Sequence, residues 1–251
     1  MVGEWLRTRG KDDVLVVTKT GVALDGDRRR ADLSPARIVS RLGRSIDRIG
    51  RADLYLSHVF DPGTPVRQWL EVFAQAQQDG RIRAYGVCNV TGAQLAEILG
   101  AADDAGLPRP VCVQSSFNLL HRTDESEVLP LVIGEGLAYL PASPLAGGVL
   151  SDRYLDGAPV PPGSRIAVAG DLLYAGMHTP ENIARVARMR DVARELDVSV
   201  AGLALAWLLA TPGVTAPIIA PSRSSQWAAV EEALRIGLDE QTRGRLSALF
   251  D

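Results

Sequence analysis

The sequence contains few of the residues that build disulfide frameworks and metal sites. Its 251 residues include two cysteines, Cys88 and Cys112, and they do not form a CxxC pair. The three histidines, His58, His121 and His178, are far apart in sequence and show no metal-ligand spacing. The sequence therefore predicts neither a disulfide framework nor a metal centre.

Excess charge and long apolar runs are also missing. The formal net charge is −3 and the arginines are spread along the chain, so nucleic acid is not an expected partner. The first residues, MVGEWLRTRGKDD, contain no apolar run. We therefore expect no signal peptide, no membrane partner and, by default, a cytoplasmic location. Lysine is rare: Lys11 lies in a polar stretch, whereas Lys19 ends the apolar run that begins at Val14.

Short apolar runs alternate with longer amphipathic stretches, which is typical of a parallel β/α fold. Six runs are predicted to be strands because they are short and apolar on both faces. They are Val14–Thr20, Leu54–His58, Ala84–Val87, Val111–Ser115, Ala138–Pro141 and Ala216–Ile219.

Apolar residues recur at helical spacing in most of the segments between these strands, which predicts helices there. Ser34 and Pro35 form an N-cap and first-turn pair that opens a helix through Ile38, Leu42 and Ile46. The stretch Ser151–Met177 is rich in Pro and Gly and is long for a loop, so it is predicted to be a functional or flexible insertion. The other predicted helices are Val66–Asp79, Thr91–Gly106, Asp124–Gly134, Pro180–Leu196, Val200–Ala210, Ser224–Leu234 and Gln241–Leu249.

The fold class predicted from this alternation is α/β, a TIM (β/α)8-type barrel formed as a single domain over residues 1–251. Barrels of this kind commonly use about 250 residues as one domain. Six strands do not close a barrel of eight. We therefore expect the barrel to be incomplete at its N-terminus, lacking the first two βα units, with Val2–Leu6 as the end of a helix. An incomplete barrel would have reason to pair with a partner, so a homo-oligomer is a further expectation.

Polar residues end most of the predicted strands. Because catalytic groups of such barrels come from the carboxyl ends of strands, these residues indicate a pocket at one mouth. Taken alone, a strand-end lysine is more often a surface residue with a buried stem. The set consists of Lys19, His58, Asn89, Gln114 with Asn118, Ser143, Ser222 and Arg223.

Six motifs at these strand ends resemble, in order, those of the aldo-keto reductases, which are NADP-dependent oxidoreductases. Each motif is weak by itself, but six in register over the whole chain are a specific signal. They are VVTK ending at Lys19, DLYLSH ending at His58 and followed by Asp61-Pro62, GVCN ending at Asn89, VQSSFNLLHR beginning at Val113, SPLAGGVL beginning at Ser143, and SRSSQ from Ser222 to Gln226.

The resemblance implies reduction of an aldehyde or ketone substrate by NADPH. Lys19 and His58 would be the catalytic residues: Lys19 would lower the pKa of a proton-donating tyrosine, and His58 would hydrogen-bond the carbonyl oxygen. The cofactor-binding residues implied are Asn89 and Gln114 at the nicotinamide carboxamide, Ser143, Leu145 and Gly147 along the pyrophosphate, and Ser222, Arg223 and Gln226 at the adenosine end. Arg223 would hold the 2′-phosphate, which favours NADPH over NADH.

The sequence also departs from the family pattern. The family's tyrosine and aspartate would precede Met1, and none of the five tyrosines of this chain stands at the matching position. Ala142 replaces the aromatic residue that stacks on nicotinamide, and Cys88 replaces a serine. Ala229 and Val230 replace a Glu-Asn pair near adenine.

These departures leave three readings open. The first is a reductase whose start is trimmed or misplaced. The second is a catalytically inactive member of the family that acts as a binding or regulatory protein. The third is an enzyme of another class, such as a cyclase or dehydratase, that uses His58 and Lys19 for acid–base chemistry. The fold does not choose among them, because barrels support many chemistries.

Overall fold

The structure is a computed structural model that describes residues 2–8, 14–25 and 28–251. Lys11 therefore lies outside the described residues. The strands are β1 (Val17–Thr20), β2 (Val22–Asp25), β3 (Arg28–Ala31), β4 (Leu54–Ser57), β5 (Ala84–Cys88), β6 (Cys112–Gln114) and β7 (Ala138–Tyr139).

Helices follow most of the strands. They are α1 (Val2–Thr8), α2 (Pro35–Ile49), α3 (Val66–Gln78), α4 (Gly92–Asp104), α5 (Asp124–Glu127), α6 (Leu129–Gly134), α7 (Arg165–Leu173), α8 (Pro180–Glu195), α9 (Val200–Leu209), α10 (Ala228–Arg235) and α11 (Glu240–Ala248). Short 3₁₀ turns cover Ala146–Gly148, Asp152–Tyr154 and Ser224–Trp227.

Five strands form one sheet in the order β1-β4-β5-β6-β7, and β2 and β3 form a separate antiparallel hairpin. The pairs β1–β4, β4–β5 and β5–β6 are parallel. The Ala138 N–H donates to the Val111 carbonyl oxygen at 3.0 Å and adds β7 to the edge. The strands therefore point the same way from β1 to β6, and their carboxyl ends meet at one edge of the sheet.

The chain divides into two compact units. The first unit contains Met1–Ser115 and Pro130–Ala138, and the second contains Ser116–Leu129 and Tyr139–Asp251. The single barrel domain expected from the sequence stays a prediction.

Aromatic side chains fill the layer between the sheet and α3 in the first unit. The rings of Phe73 and Tyr85 stack with centroids 5.1 Å apart, and Tyr55 and Trp69 contact Phe73 at 5.5 and 5.8 Å. All four side chains are almost completely buried. Tyr55 and Tyr85 therefore use the helix-facing side of β4 and β5, which leaves Leu56, Gly86 and Cys88 on the opposite side.

The second unit has its own aromatic core. The Phe117 ring stacks on Trp207 of α9 at 5.5 Å and meets Tyr139 edge-on at 5.7 Å. The Trp207 indole N–H donates to the Ser247 hydroxyl at 3.0 Å, which ties α11 to α9. Burial of large aromatic surface of this kind dominates the stability of such a core.

The predicted strands are confirmed in five of six cases; four have shorter bounds, and β5 extends one residue further, to Cys88. The sixth, Ala216–Ile219, is wrong: in the described structure this segment is not a strand. It makes isolated contacts to the β7 region, because Thr215 N–H donates to the Tyr139 oxygen at 2.9 Å and Ile218 N–H to the Pro141 oxygen at 2.8 Å. Pro141 and Pro217 lack an N–H, so a continuous ladder cannot form.

The predicted helices are present, with three differences. Asp124–Gly134 is two helices, because Pro130 cannot continue a first helix but suits the first turn of a second. Ser224–Leu234 begins as a 3₁₀ turn before α10. The Ser34 hydroxyl does not cap α2; it donates to an Asp32 carboxylate oxygen at 2.7 Å.

Two elements were not predicted from the sequence. The hairpin of β2 and β3 follows β1 directly, and the Asp25-Gly26 dipeptide is a hairpin signal that apolar periodicity does not reveal. Helix α7 lies inside Ser151–Met177, a stretch for which the sequence predicts an insertion but no helix. Its start is marked by Ser164, whose hydroxyl accepts a hydrogen bond from the Ala167 N–H at 3.2 Å.

Asp61 fixes the segment that follows β4. One carboxylate oxygen accepts from the Leu33 N–H and from the Thr64 hydroxyl, each at 2.7 Å, and the other accepts from the Gly63 N–H at 2.9 Å. Burial by itself would raise the pKa of Asp61, but these hydrogen bonds outweigh it and the pKa is lowered. Asp61 therefore ties the β4 loop to the start of α2.

We expect Asp61→Ala to lower the free energy of unfolding by about 2–4 kcal/mol near neutral pH, because it leaves the buried Leu33 N–H without an acceptor. Since the folded-state pKa is lowered, the contribution of Asp61 is present above the unfolded pKa and is lost as the pH falls through the folded value. Urea unfolding at a series of pH values measures both effects.

Asp104 provides the control, because it is exposed and its side chain makes no hydrogen bond or ion pair within the described part of the chain. Asp104→Ala should change stability by no more than about 0.5 kcal/mol. If the gap between wild type and Asp61→Ala kept its full size in acid, the carboxylate would not be its source.

Candidate functional site

Four of the predicted site residues lie at the carboxyl ends of neighbouring strands in the first unit. Lys19 is on β1 and is paired in register with Leu56 of β4, and Gln114 ends β6 opposite Cys88. His58 and Asn89 directly follow β4 and β5. The structure brings these four residues together at one edge of the sheet.

Hydrogen bonds link the four residues into one network. The Lys19 Nζ donates to the Gln114 Oε1. The backbone N–H of Asn89 donates to the Gln114 carbonyl oxygen at 3.1 Å, and the Asn89 Nδ2 donates to the His58 carbonyl oxygen at 3.0 Å. The network therefore fixes which atom of each side-chain amide is engaged: the oxygen of Gln114 and the nitrogen of Asn89.

Lys19 has no acidic partner among the residues that the structure describes. Its side chain is half-buried, and its hydrogen-bond partner is the neutral amide of Gln114. Its charge also acts on two buried thiols, because it opposes the pKa increase that burial imposes on Cys88 and Cys112. Burial dominates nevertheless and raises the two pKa values to about 12 and about 11. Both cysteines are therefore neutral thiols at physiological pH, and the fully buried Cys88 lies beside the lysine.

His58 stands at the exposed rim of this network. Its backbone N–H donates to the Thr20 oxygen at 2.7 Å, which fixes its position relative to β1. Desolvation of the part of the ring that faces protein lowers the pKa of His58, and the positive charges of Lys19 and Arg29 lower it further. His58 is therefore mainly a neutral imidazole at pH 7, with one nitrogen that donates and one that accepts.

Asn89 holds a left-handed backbone conformation with φ of 52°. Such a conformation is uncommon outside glycine, although asparagine tolerates it better than most residues. The hydrogen bonds to Gln114 and His58 hold Asn89 there. The result is a fixed side chain directly after a strand, which is where binding groups are needed.

The second unit contains the remaining predicted residues in two loops. Asn118 is fully buried, and its Nδ2 donates to the Ser143 carbonyl oxygen at 3.0 Å. Ser143, Ala146 and Gly147 have φ values of 54°, 47° and 68°. This run of left-handed residues turns the backbone sharply after Ala142, and Asn118 anchors its first carbonyl.

The two loops of the second unit share a hydrophobic cluster. Leu145 of the first loop packs against buried Leu205 and Ala206 together with Ile219, Ala229 and Val230, which flank the second loop. Ala229 and Val230 therefore serve as packing residues, and the polar contacts that the family pattern has at these positions are absent. The shared cluster fixes Ser143–Gly147 close to Ser222–Gln226.

The Gln226 side chain organises the second loop. Its Oε1 accepts hydrogen bonds from the Ser222 N–H at 2.6 Å and the Arg223 N–H at 3.1 Å. The Arg223 guanidinium is exposed, and no ion pair engages it among the described residues. Gln226 thus holds the backbone, and Arg223 presents a charge to solvent.

Tyr174 covers Gly147, a contact that the sequence did not predict. A Cβ built on Gly147 would lie 3.0 Å from the Tyr174 Cδ2 and 3.1 Å from two other ring atoms. Tyr174 follows α7, so the unpredicted helix brings an aromatic ring onto the predicted pyrophosphate loop. No sequence motif marks this contact, because it depends on tertiary packing.

A cavity in the first unit lies away from these residues. It is lined by Leu6, Arg7, Asp47, Ile49, Gly50 and Arg51, between α1 and α2. None of the predicted site residues contributes to it, and its lining contains no hydrogen-bonded network of the Lys19 type. We assign it no role.

The family model for aldo/keto reductases matches residues 1–250. The chain belongs to the aldo/keto reductase family. The family predicted from the motifs is thereby confirmed.

Curated relatives cover most of the chain. The Uncharacterized oxidoreductase YrpG of Bacillus subtilis strain 168 is 30% identical over 258 residues, which span 100% of this chain and 76% of that protein. The L-glyceraldehyde 3-phosphate reductase of Escherichia coli K12 is 28% identical, over 86% of this chain and 63% of that protein. A protein of Arabidopsis thaliana named as a probable voltage-gated potassium channel subunit beta is 30% identical, over 90% of this chain and 70% of that protein.

Among solved structures, the glycerol dehydrogenase of Gluconobacter oxydans superposes with a TM-score of 0.83. The superposition covers 99% of this chain and 75% of that one, at 22% identity. At this identity the likeness shows the fold alone.

Membrane-spanning helices and metal-binding clusters are both absent from the described part of the chain. No helix in residues 2–8, 14–25 and 28–251 is long and apolar enough to cross a membrane. No group of three or more His, Cys, Asp or Glu side chains in the same ranges is arranged to hold a metal ion.

The two tyrosines of the first unit lie on the side of the sheet opposite Lys19. Tyr55 and Tyr85 pack on Phe73 at the helix-facing side of the sheet, whereas Lys19 pairs in register with Leu56 on the other side. In the second unit, Tyr139 donates its hydroxyl hydrogen to Asp124 at 2.5 Å. Burial raises the pKa of Tyr55, so it is a poor proton donor as well as a misplaced one.

We expect Lys19→Gln to raise the pKa of His58 toward its ordinary value, because the variant removes a nearby positive charge. The rise should be partial, since desolvation is the larger cause. Lys19→Arg keeps the charge and should keep the pKa low. An NMR titration of the His58 imidazole measures the three values, and equal values in Lys19→Gln and wild type would rule out the proximity of the two groups.

We also expect Gly147→Ala to lower the free energy of unfolding by about 1–3 kcal/mol, because it adds left-handed strain and a clash with Tyr174. Gly157 has a similar φ of 73°, and a Cβ added there would meet nothing within 4 Å, so Gly157→Ala is the matched control for strain alone. Urea unfolding of both variants gives the difference. Equal losses would show that the Tyr174 ring does not press on Gly147.

Proposed function

We propose that this protein is an NADPH-dependent carbonyl reductase that converts an aldehyde or ketone to an alcohol. The observation that carries the proposal is the network of Lys19, His58, Asn89 and Gln114 on three adjacent parallel strand pairs. Membership of the aldo/keto reductase family supports the same chemistry. The bound nicotinamide would supply the hydride. The residues of this chain would hold the cofactor, orient the substrate and polarise its carbonyl group.

The amide groups of Gln114 and Asn89 fit a carboxamide. The Gln114 Oε1 is engaged by Lys19, which leaves its Nε2 as a donor. The Asn89 Nδ2 is engaged by the His58 carbonyl, which leaves its Oδ1 as an acceptor. One free donor and one free acceptor match the oxygen and the NH₂ of a nicotinamide carboxamide. The residues present therefore fit this end of the cofactor.

The second unit offers groups that suit the phosphates. The exposed guanidinium of Arg223 can form two parallel hydrogen bonds to a 2′-phosphate, and the Ser222 hydroxyl lies beside it. Gln226 pre-orders this loop by holding both backbone N–H groups. The left-handed turn at Ser143–Gly147 is linked to this loop through Leu145, which packs in the cluster that also holds Ile219, Ala229 and Val230. These features support assignment of Ser143, Leu145, Gly147, Ser222, Arg223 and Gln226 to the pyrophosphate and adenosine end.

His58 and Lys19 act on the carbonyl oxygen in this proposal. A neutral His58 donates one N–H to that oxygen and orients the carbonyl group. The Lys19 ammonium stabilises the negative charge that develops on the oxygen, and no carboxylate among the described residues pairs with it. Of the described residues at this edge, these two are the groups able to deliver a proton.

A second function is favoured by the placement of the tyrosines. Tyr55 and Tyr85, the tyrosines of the first unit, are turned toward α3 and cannot protonate a substrate held beside Lys19. A family member that binds NADPH without turnover, acting as a binding or regulatory protein, is consistent with this arrangement. The two functions differ in catalysis and share the cofactor site.

We expect Arg223→Ala to weaken NADPH binding about 10–100-fold, because one charge-assisted pair is worth about 1.5–3 kcal/mol. NADH lacks the 2′-phosphate, so its affinity should change little. Titration of cofactor fluorescence measures both affinities. Arg188→Ala removes an exposed arginine of α8 that forms no ion pair with any described residue, and it should change neither affinity. Equal affinity of wild type and Arg223→Ala for NADPH would overturn the phosphate assignment.

Steady-state assays with small aldehydes separate the two functions. For a reductase, Lys19→Met and His58→Gln should each lower kcat/KM by about 10²–10⁴-fold while the NADPH Kd stays within about threefold. NADPH binding to the wild type without turnover would select the binding or regulatory function.

A further inference from the structure

The amine of Lys19 is half-buried, and no described carboxylate pairs with it. Its hydrogen-bond partner is the side-chain oxygen of Gln114, a neutral group. A carboxylate would favour the ammonium form of the nitrogen, which has no free lone pair. Attack by the Lys19 nitrogen on an electrophile therefore requires no described ion pair to break.

The described residues that surround this amine are uncharged. Leu56, its register partner on β4, is fully buried and apolar. Cys88 is also fully buried, Cys112 is nearly so, and burial keeps both as neutral thiols. A neutral, poorly solvated surrounding of this kind is the setting in which proteins use lysine as a nucleophile. The thiols themselves do not compete, because the thiolate is the reactive form of cysteine.

A proton-transfer group follows the strand that is paired with the strand of Lys19. His58 follows β4, the strand paired with that of Lys19, and the Lys19 charge reaches it strongly enough to lower its pKa. The imidazole is therefore available in its neutral form, and the residue is exposed. A neutral imidazole can accept a proton from one intermediate and return it to the next.

We propose that Lys19 forms a Schiff base with small aliphatic aldehydes and that His58 carries the protons for this reaction. Aldehydes are favoured over ketones because their carbonyl carbon is less hindered and more electrophilic. This activity goes beyond hydride transfer, since it requires no nicotinamide and makes the protein itself the reaction partner.

The reaction balances without an oxidant or reductant. The Lys19 ammonium first gives one proton to neutral His58, which frees the nitrogen lone pair. The nitrogen then forms a bond to the carbonyl carbon, the π electrons move to the oxygen, and protonated His58 passes its proton to that oxygen. His58 next takes a second proton from the nitrogen, which gives the neutral carbinolamine, and returns it to the hydroxyl group. The C–O bond breaks, water leaves, and the nitrogen lone pair forms the C=N bond. One aldehyde and one ammonium group thus give one protonated imine and one water.

The composition of the chain makes a direct test possible. Lys11 and Lys19 are the only lysines, so side-chain amines can be followed as two peptides. The 251-residue protein is treated with propanal and cyanoborohydride, which reduces imines to stable secondary amines and leaves free aldehyde largely unreacted. Peptide mass spectrometry then gives the rate at which each lysine gains a propyl group.

We expect the ratio of Lys19 to Lys11 modification to be at least about tenfold higher in the folded protein than in urea, which is within the roughly 10²–10⁴-fold that positioned proton transfer contributes. His58→Gln should slow modification of Lys19 and leave Lys11 unchanged. Lys19→Arg should abolish the adduct at this position, and circular dichroism checks that each variant is folded.

Equal ratios in folded and denatured protein would overturn the proposal. Unchanged Lys19 modification in His58→Gln would overturn the role of His58. The assay contains no NADPH, and the NADPH affinity of each variant is measured separately. Failure of imine formation with intact, Arg223-dependent NADPH binding therefore counts against the Schiff base alone, and the opposite outcome counts against the cofactor site alone.

Discussion

The parallel alignment of β1, β4, β5 and β6 is the constraint from which the rest of the site follows. Parallel ladders leave consecutive strands pointing the same way, so residues that are dozens of positions apart arrive at one edge. Lys19 reaches Gln114 only because the strands between them keep their register, with Lys19 opposite Leu56 and Cys88 opposite Gln114. A slip of one residue in any of these pairs would turn the side chain to the helix-facing side.

Side chains alternate between the two faces of the sheet, so one face packs against a helix and the other carries the polar site residues. The helix-facing side carries Tyr55 and Tyr85 and builds an aromatic layer with Phe73. The opposite side carries Lys19, Leu56 and Cys88, with Gly86 leaving space, since a Cβ there would lie 2.5 Å from the Cys112 sulfur. Packing and chemistry thus use the same strands without competing for positions.

The sequence predicted the parts of the fold that depend on local pattern. Five strands and most helices follow from periodicity, and four strand-end residues meet because strand direction is a property of the fold class. The prediction of the sixth strand was wrong because Pro141 and Pro217 interrupt its hydrogen bonds, a pairwise effect that a single apolar run does not reveal.

Helix α7 and the contact of Tyr174 with Gly147 arise from tertiary packing, which has no periodic signature. The finer chemistry of the site was also beyond the sequence, because the engagement of Lys19 by Gln114 and the left-handed backbone of Asn89 form only when the strands assemble.

The contact between Tyr174 and Gly147 links two segments that would otherwise evolve separately. Surface insertions usually accept changes in length and composition at little penalty. Here Tyr174, which follows α7, packs directly against the backbone of Gly147, which has no side chain. A deletion or swap within that insertion would therefore be transmitted to the turn, so chimeras that exchange it between family members would have to carry both segments together.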